Sequence, residues 1–211
     1  MTAHAETPAR GRRRKLARAA TEVFAPWIWV LGLPLAVSWH ATGDVLATLA
    51  WGAVVGITGS VVPMLVIIRG ARRGLWDGRH VTRREDRFVP FITCICSLGV
   101  GIAALLIGDG PGRLIALAVG MFVSLIASVA ITFALPVPNG RGWKISIHAA
   151  VAAGAVMVLT IDYGPWLLLL TPAVALVAWS RVELRDHTTP QVLGGTALGA
   201  LVGGLLYWLL I

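Results

Sequence analysis

Three short polar blocks interrupt an otherwise apolar chain of 211 residues, and each carries a histidine close to arginine or lysine. The first is Arg79-His80-Val81-Thr82-Arg83-Arg84-Glu85-Asp86-Arg87, with Pro90 just beyond it. The second is Lys144-Ile145-Ser146-Ile147-His148. The third runs from Ser180-Arg181 through Glu183, Arg185, Asp186 and His187 to Gln191. Several guanidiniums beside a serine hydroxyl and a helix start make a cradle for phosphate, because arginine offers forked donors and a helix start offers free N–H groups. Two histidines from different loops add a nucleophile and a proton donor. That pair is what an in-line phosphoryl transfer through a phosphohistidine needs, since the leaving alkoxide must also be protonated. Taken singly, the same residues have ordinary explanations: arginines mark topology, histidines sit at the interface, and Ser146 caps a helix. The functional reading rests on all three blocks reaching one membrane face. His4 and His40 lie outside the blocks and are assigned no role.

The elements that must bring these blocks together are membrane helices. With 57% hydrophobic and 13% charged residues and a mean hydropathy of +0.80, the chain is too apolar for an ordinary soluble domain. Apolar runs long enough to cross the hydrocarbon core recur at 23–41, 45–68, 88–107, 113–135, 145–161, 164–180 and 190–211. Lipid forces such spans to be helical unless they close a barrel, and the alternation of a barrel is absent. The expected fold is therefore an all-α polytopic bundle of six to seven transmembrane helices. The count is left open because Pro26 and Pro34 interrupt the first run and the sixth is short. Counting crossings puts the N-terminal segment and the loops at 69–87, 136–144 and 181–189 on one side. Of 18 Lys+Arg, only Arg113 then falls on the other side, which leaves 17 together.

By the positive-inside rule that side is cytoplasmic, an orientation supported most independently by Arg10, Arg12, Arg13, Arg14, Lys15 and Arg18. Residues 1–22 read as a basic, disordered or surface-lying cytoplasmic tail, and 23–211 as the membrane domain. The net charge of +8 does not point to nucleic acid, because no soluble basic surface remains to bind it. Membrane lipids are the expected partners of that charge. Cys94 and Cys96 are the only cysteines and read as packing residues, not ligands or a disulfide. Gly195, Gly199 and Gly203 recur every four residues, which suits close helix packing and would also suit a groove for a lipid tail.

At the three blocks the chain resembles the type 2 phosphatidic acid phosphatase superfamily, the membrane lipid phosphate phosphatases related to vanadium haloperoxidases. The resemblance covers roughly residues 79–195. Ser180-Arg181, His187 and Gln191 match the family's third motif, with Gln191 in the place of an Asp. Ser146 and His148 match the second, with Ile145 and Ile147 replacing its Pro and Gly. The first is loose: Arg87 or Arg84 stands for its arginine, Pro90 is displaced, and Arg79, His80 or Arg83 stands where a lysine is missing. The resemblance implies that His187 attacks phosphorus and His148 protonates the leaving group. It also implies that Arg181, Ser146, Arg84 and Arg87, with Lys144 beside them, hold phosphate oxygens. Gln191 would orient His187 without supplying charge, a function Glu183, four residues before His187, or Asp186 would take over. No metal or other cofactor is expected.

These readings converge on a cell-membrane phosphatase for a lipid-anchored phosphate or diphosphate, with its active site on the cytoplasmic face. An isoprenoid (di)phosphate is favoured, because prenyl diphosphates are made in the cytosol. The alternatives are a prenyl-diphosphate cyclase or transferase, using Trp143 or Trp179 for cation–π stabilisation, and a lipid-phosphate binder without turnover.

Overall fold

A computed structural model describes residues 8–76, 81, 83, 85–135 and 143–211. The described residues are helical and contain no strand. In chain order they form α1 (Pro8–Val23), α2 (Pro26–Thr42), α3 (Val45–Arg72), α4 (Phe88–Ile107), α5 (Gly112–Ala134), α6 (Ile147–Tyr163), α7 (Thr171–Glu183) and α8 (Thr189–Leu210). Six helical segments are long and apolar enough to cross a membrane, and α6 is a shorter apolar helix of 17 residues. The short helix is thus the fifth apolar run and not the sixth. The sixth gains length from a 3-10 start at Pro165–Leu170, where each residue rises further than in an α-helix. α6 spans about 26 Å, and protein surrounds it: Ala149, Ala152, Ala155, Val156 and Val158 are all buried.

Local chemistry sets the boundaries. Gly43 at φ +63° caps α2 by donating its N–H to the Trp39 carbonyl, and Asp44 accepts from the Ala47 N–H at 2.7 Å to start α3. The two helices therefore form a tight hairpin. Within α3 the turn at Ile57–Val61 is a π turn. Pro63 has no N–H to offer the preceding turn, and the neighbourhood supplies other partners. Ser97 donates to the Thr58 carbonyl at 2.6 Å, and Ser60 donates to the Trp27 carbonyl at 3.0 Å. A second π turn, Leu201–Leu206, interrupts α8.

Of the disordered or surface-lying tail expected at 1–22, the described part is ordered as a helix. Residues 8–23 are helical, and α1 packs on α7 through buried Ala17, Ala20 and Thr21. Thr21 and Ser180 hydroxyls lie 3.1 Å apart, and Arg13 pairs with Glu183 at 3.1 Å. A stripe of small residues on one face lets a basic helix dock, which composition alone does not reveal. Residues 1–7 lie outside the described residues.

The bundle has two polar ends. At one end, the expected blocks meet. At the other, Arg113 pairs with Asp162 at 2.6 Å, and the Tyr207 hydroxyl donates to the Asp162 carboxylate at 2.9 Å. Tyr163 donates to the Ala36 carbonyl at 2.7 Å nearby. The crossing parity inferred from the sequence therefore holds for the described loops.

The glycine stripe packs α8 onto α6. A Cβ added at Gly195, Gly199 or Gly203 would collide with the carbonyl oxygen of Ser146, Ala150 or Gly154, respectively. At Gly120 the nearest atom to an added Cβ is Val202 Cγ1 at 3.6 Å, an ordinary contact. Gly199→Ala should therefore cost about 1–3 kcal/mol and lower the thermal midpoint in detergent. Gly120→Ala should leave it unchanged; equal midpoints for the two variants would refute the packing argument.

Candidate functional site

The polar end is assembled by backbone contacts between blocks distant in sequence. Arg87, at the end of a 3-10 turn, is buried, and its Nε donates to the Val81 carbonyl at 3.0 Å. Its Nη1 donates to the Ile145 carbonyl at 3.4 Å, joining the first block to the second. Val81 sits at φ +41°, a conformation that costs a β-branched residue free energy. The Ser146 N–H donates to the Gln191 carbonyl at 3.2 Å, joining the second block to the third. After α7 the chain turns back: the Arg181 carbonyl accepts from the N–H groups of Asp186 (3.1 Å) and His187 (3.2 Å), with Arg185 at φ +61°. This fold-back sets His187 beside Arg181.

Arg87, Arg181, His148 and His187 line one end of a cavity of about 210 Å³ whose remaining wall includes Pro63 and Phe91. Arg181 is only 1% exposed. Its Nη2 pairs with Asp186 at 2.9 Å, while Nε and Nη1 have no hydrogen-bond partner among the described residues. Ser146 is fully buried at the start of α6, yet its hydroxyl neither caps the helix nor finds another partner among those residues. Leaving a buried donor unsatisfied costs roughly 1–3 kcal/mol, and more for a charged one. An anion with several oxygens, bound against Arg181 and Ser146, would remove that cost.

His187 is held in one tautomer. Gln191 Oε1 lies 3.2 Å from His187 Nδ1 and also accepts the Thr188 N–H at 3.2 Å. The backbone donor fixes which amide atom is the oxygen, so Nδ1 must carry the hydrogen and Nε2 keeps its lone pair. Burial first, then the charges of Arg87, Lys144 and Arg181, push this imidazole down to about 3, with the Gln191 hydrogen bond acting upward. It is therefore neutral near pH 7. Thr188 and Gln191 form a capping box that starts α8. The spacing Thr188-Thr189-Pro190-Gln191 is the signal that could have shown this double role.

Several expected residues lie elsewhere. Glu183 is paired with Arg13 and does not hold His187. The four-residue spacing assumed a continuing helix, but α7 ends at Glu183 and the chain reverses. Asp186 is engaged by Arg181, a pairing that spacing did not reveal. Arg83 is exposed and bound to Glu85 at 2.6 Å. Arg79, His80 and Arg84 lie outside the described residues. Lys144 is half-buried, and its charge acts on His187. Ser180 donates to the Val177 carbonyl at 2.7 Å and meets Thr21, so it anchors α1. Among the tryptophans, Trp27 lines the cavity, whereas Trp143 and Trp179 do not.

An unfolded chain takes up a proton on His187 near the ordinary 6.5, whereas the folded chain resists until about 3. His187 therefore contributes stability that is complete above pH 6.5 and lost as pH falls towards 3. In detergent, the thermal midpoint should fall from pH 7 to 4 more steeply for the native chain than for His187→Asn. Parallel curves would contradict a buried neutral imidazole.

No protein-family model, curated protein or solved structure matches the chain.

Proposed function

We propose that this chain is an integral-membrane phosphatase that hydrolyses a lipid-anchored phosphate or diphosphate through a phosphohistidine at His187. On this reading it is a divergent relative of the type 2 phosphatidic acid phosphatases. The observation that carries it is the buried Arg181 guanidinium, whose Nε and Nη1 lack partners among the described residues, beside a neutral histidine with a fixed tautomer.

Arg181 and Ser146 bind the phosphate oxygens, while Arg87, tied to two carbonyls, and Lys144 add positive field. His187 Nε2 attacks phosphorus, forming the P–N bond as the bond to the lipid oxygen breaks. His148 donates a proton to that oxygen, and the lipid alcohol, or lipid monophosphate from a diphosphate, departs. Water then attacks the phosphohistidine with His148 as base. The P–N bond breaks, phosphate leaves, and both histidines return to their starting states. The positive-inside rule favours a site at the cytoplasmic face of a cell membrane, where isoprenoid phosphates made in the cytosol would be within reach.

Among the described residues His187 is held by an amide and not by a carboxylate, which favours one second reading, a binder that holds lipid phosphate without turnover. Purified protein in detergent, given farnesyl diphosphate or phosphatidic acid, separates the two. The phosphatase reading expects inorganic phosphate, reduced to background in His187→Ala and by roughly 100-fold in Arg181→Ala. Saturable binding without phosphate release supports the binder. Diphosphate release with a cyclised or transferred hydrocarbon identifies prenyl chemistry, and phosphate release unchanged in both variants sinks the proposal.

Gln191→Glu keeps the reach and the cap while adding charge opposite the imidazolium-like nitrogen that develops on attack. Removing such a charge from a serine-protease triad costs roughly 10⁴-fold, so its addition should raise kcat by about tenfold or more. An unchanged or lower kcat in a folded Gln191→Glu variant would count against His187 as nucleophile.

A further inference from the structure

The cavity at the cradle has a neighbour deeper in the bundle. A second cavity of about 140 Å³ shares Val30, Gly59, Cys94, Ile147 and Val151 with the first and extends to Tyr207. Gln191 and Tyr207 are 16 residues apart on α8, which is roughly 24 Å along a helix. Leu33, Leu98, Leu117 and Met121 give the deeper part its apolar wall. Gly199 and Gly203, already required for packing on α6, also line it and leave room there.

This apolar pocket is only partly enclosed; its walls lack contact partners, and water gains little by entering it. Hydrocarbon is the occupant that restores those contacts. The far end is firmly held: Tyr207 is 1% exposed, and its hydroxyl donates to Asp162, which Arg113 pins from the other side. The ring cannot swing aside without breaking that cluster.

We propose that the two adjoining cavities together take up the hydrocarbon chain of the substrate from the bilayer, with Tyr207 as the floor that limits chain length. The assignment rests on the lipid-phosphate reading above. It makes Tyr207 a specificity-determining residue remote from the phosphate.

Cys94, at the junction of the two cavities, reports occupancy directly. In a Cys96→Ser background it is the only thiol, and its alkylation by a membrane-permeant maleimide can be timed. Farnesyl phosphate should slow that reaction by about tenfold or more, whereas inorganic phosphate and butyl phosphate should not. Calorimetry of a Ser124→Phe variant, which fills the deeper cavity, gives a second readout that does not depend on thiol reactivity. Its affinity for farnesyl phosphate should fall by about tenfold or more while that for butyl phosphate holds, since several methylenes lose their contacts. Tyr207→Ala should shift preference from farnesyl towards geranylgeranyl phosphate. An affinity for farnesyl phosphate that Ser124→Phe leaves intact overturns the proposal, as does equal weakening of both ligands. Phosphate release is not needed for these outcomes. Protection of Cys94 without turnover would remove the phosphatase reading and keep the tail site, while turnover with an unaffected Ser124→Phe would do the reverse.

Discussion

A guanidinium buried inside a lipid-embedded bundle is tolerated only where the surroundings compensate for its lost hydration. Among the described residues Arg181 is paired with one carboxylate, Asp186, through one of its three nitrogens, and the charge of Glu22 acts on it as well. The rest of the polar end is arranged around that charge. The fold-back after α7 returns the His187 and Asp186 N–H groups to the Arg181 carbonyl. Arg87, a second buried cation, is stitched to Val81 and Ile145 carbonyls. The Gln191 carbonyl takes the Ser146 N–H, α6 begins without a side-chain cap, and the Ser146 hydroxyl has no partner among the described residues. Burial first, and then the charges of Arg87, Lys144 and Arg181, keep His187 neutral, the state in which its free nitrogen can attack an electrophile.

Much of the scaffold was legible in the sequence because lipid imposes severe rules. Apolar runs punctuated by Gly43-Asp44, Gly108 to Pro111 and Gly164-Pro165 read as crossings, and counting all seven put the three polar blocks on one face. The glycine repeat in α8 was legible as close packing, and α6 is its partner. Details set by tertiary contact were not legible. α1 is polar and basic, and it is helical against α7 through three small residues and two polar contacts. Nothing in its composition names that partner. Glu183 failed as a partner for His187 because helical spacing was carried past the end of a helix, into a segment where Arg185 reverses the chain.

The candidate site divides along the same line. Residue types and parity were enough to bring His148, His187, Arg181, Arg87 and Ser146 to one end. They could not distinguish Asp186 from Glu183, or show that Gln191 serves both the histidine and the cap. Those roles depend on side-chain direction, which spacing constrains only inside regular elements. The opposite polar end, with Arg113, Asp162 and Tyr207, was visible only as a lone arginine. In the fold it ties α5, α6 and α8 together and closes the apolar interior.

The central claim is that His187 carries the phosphoryl group. The most direct measurement is an alkaline quench during turnover of a radiolabelled lipid phosphate, followed by mapping the retained phosphorus to a peptide. The account predicts alkali-stable, acid-labile label on His187 alone, absent in His187→Asn. Label on any other residue would contradict it.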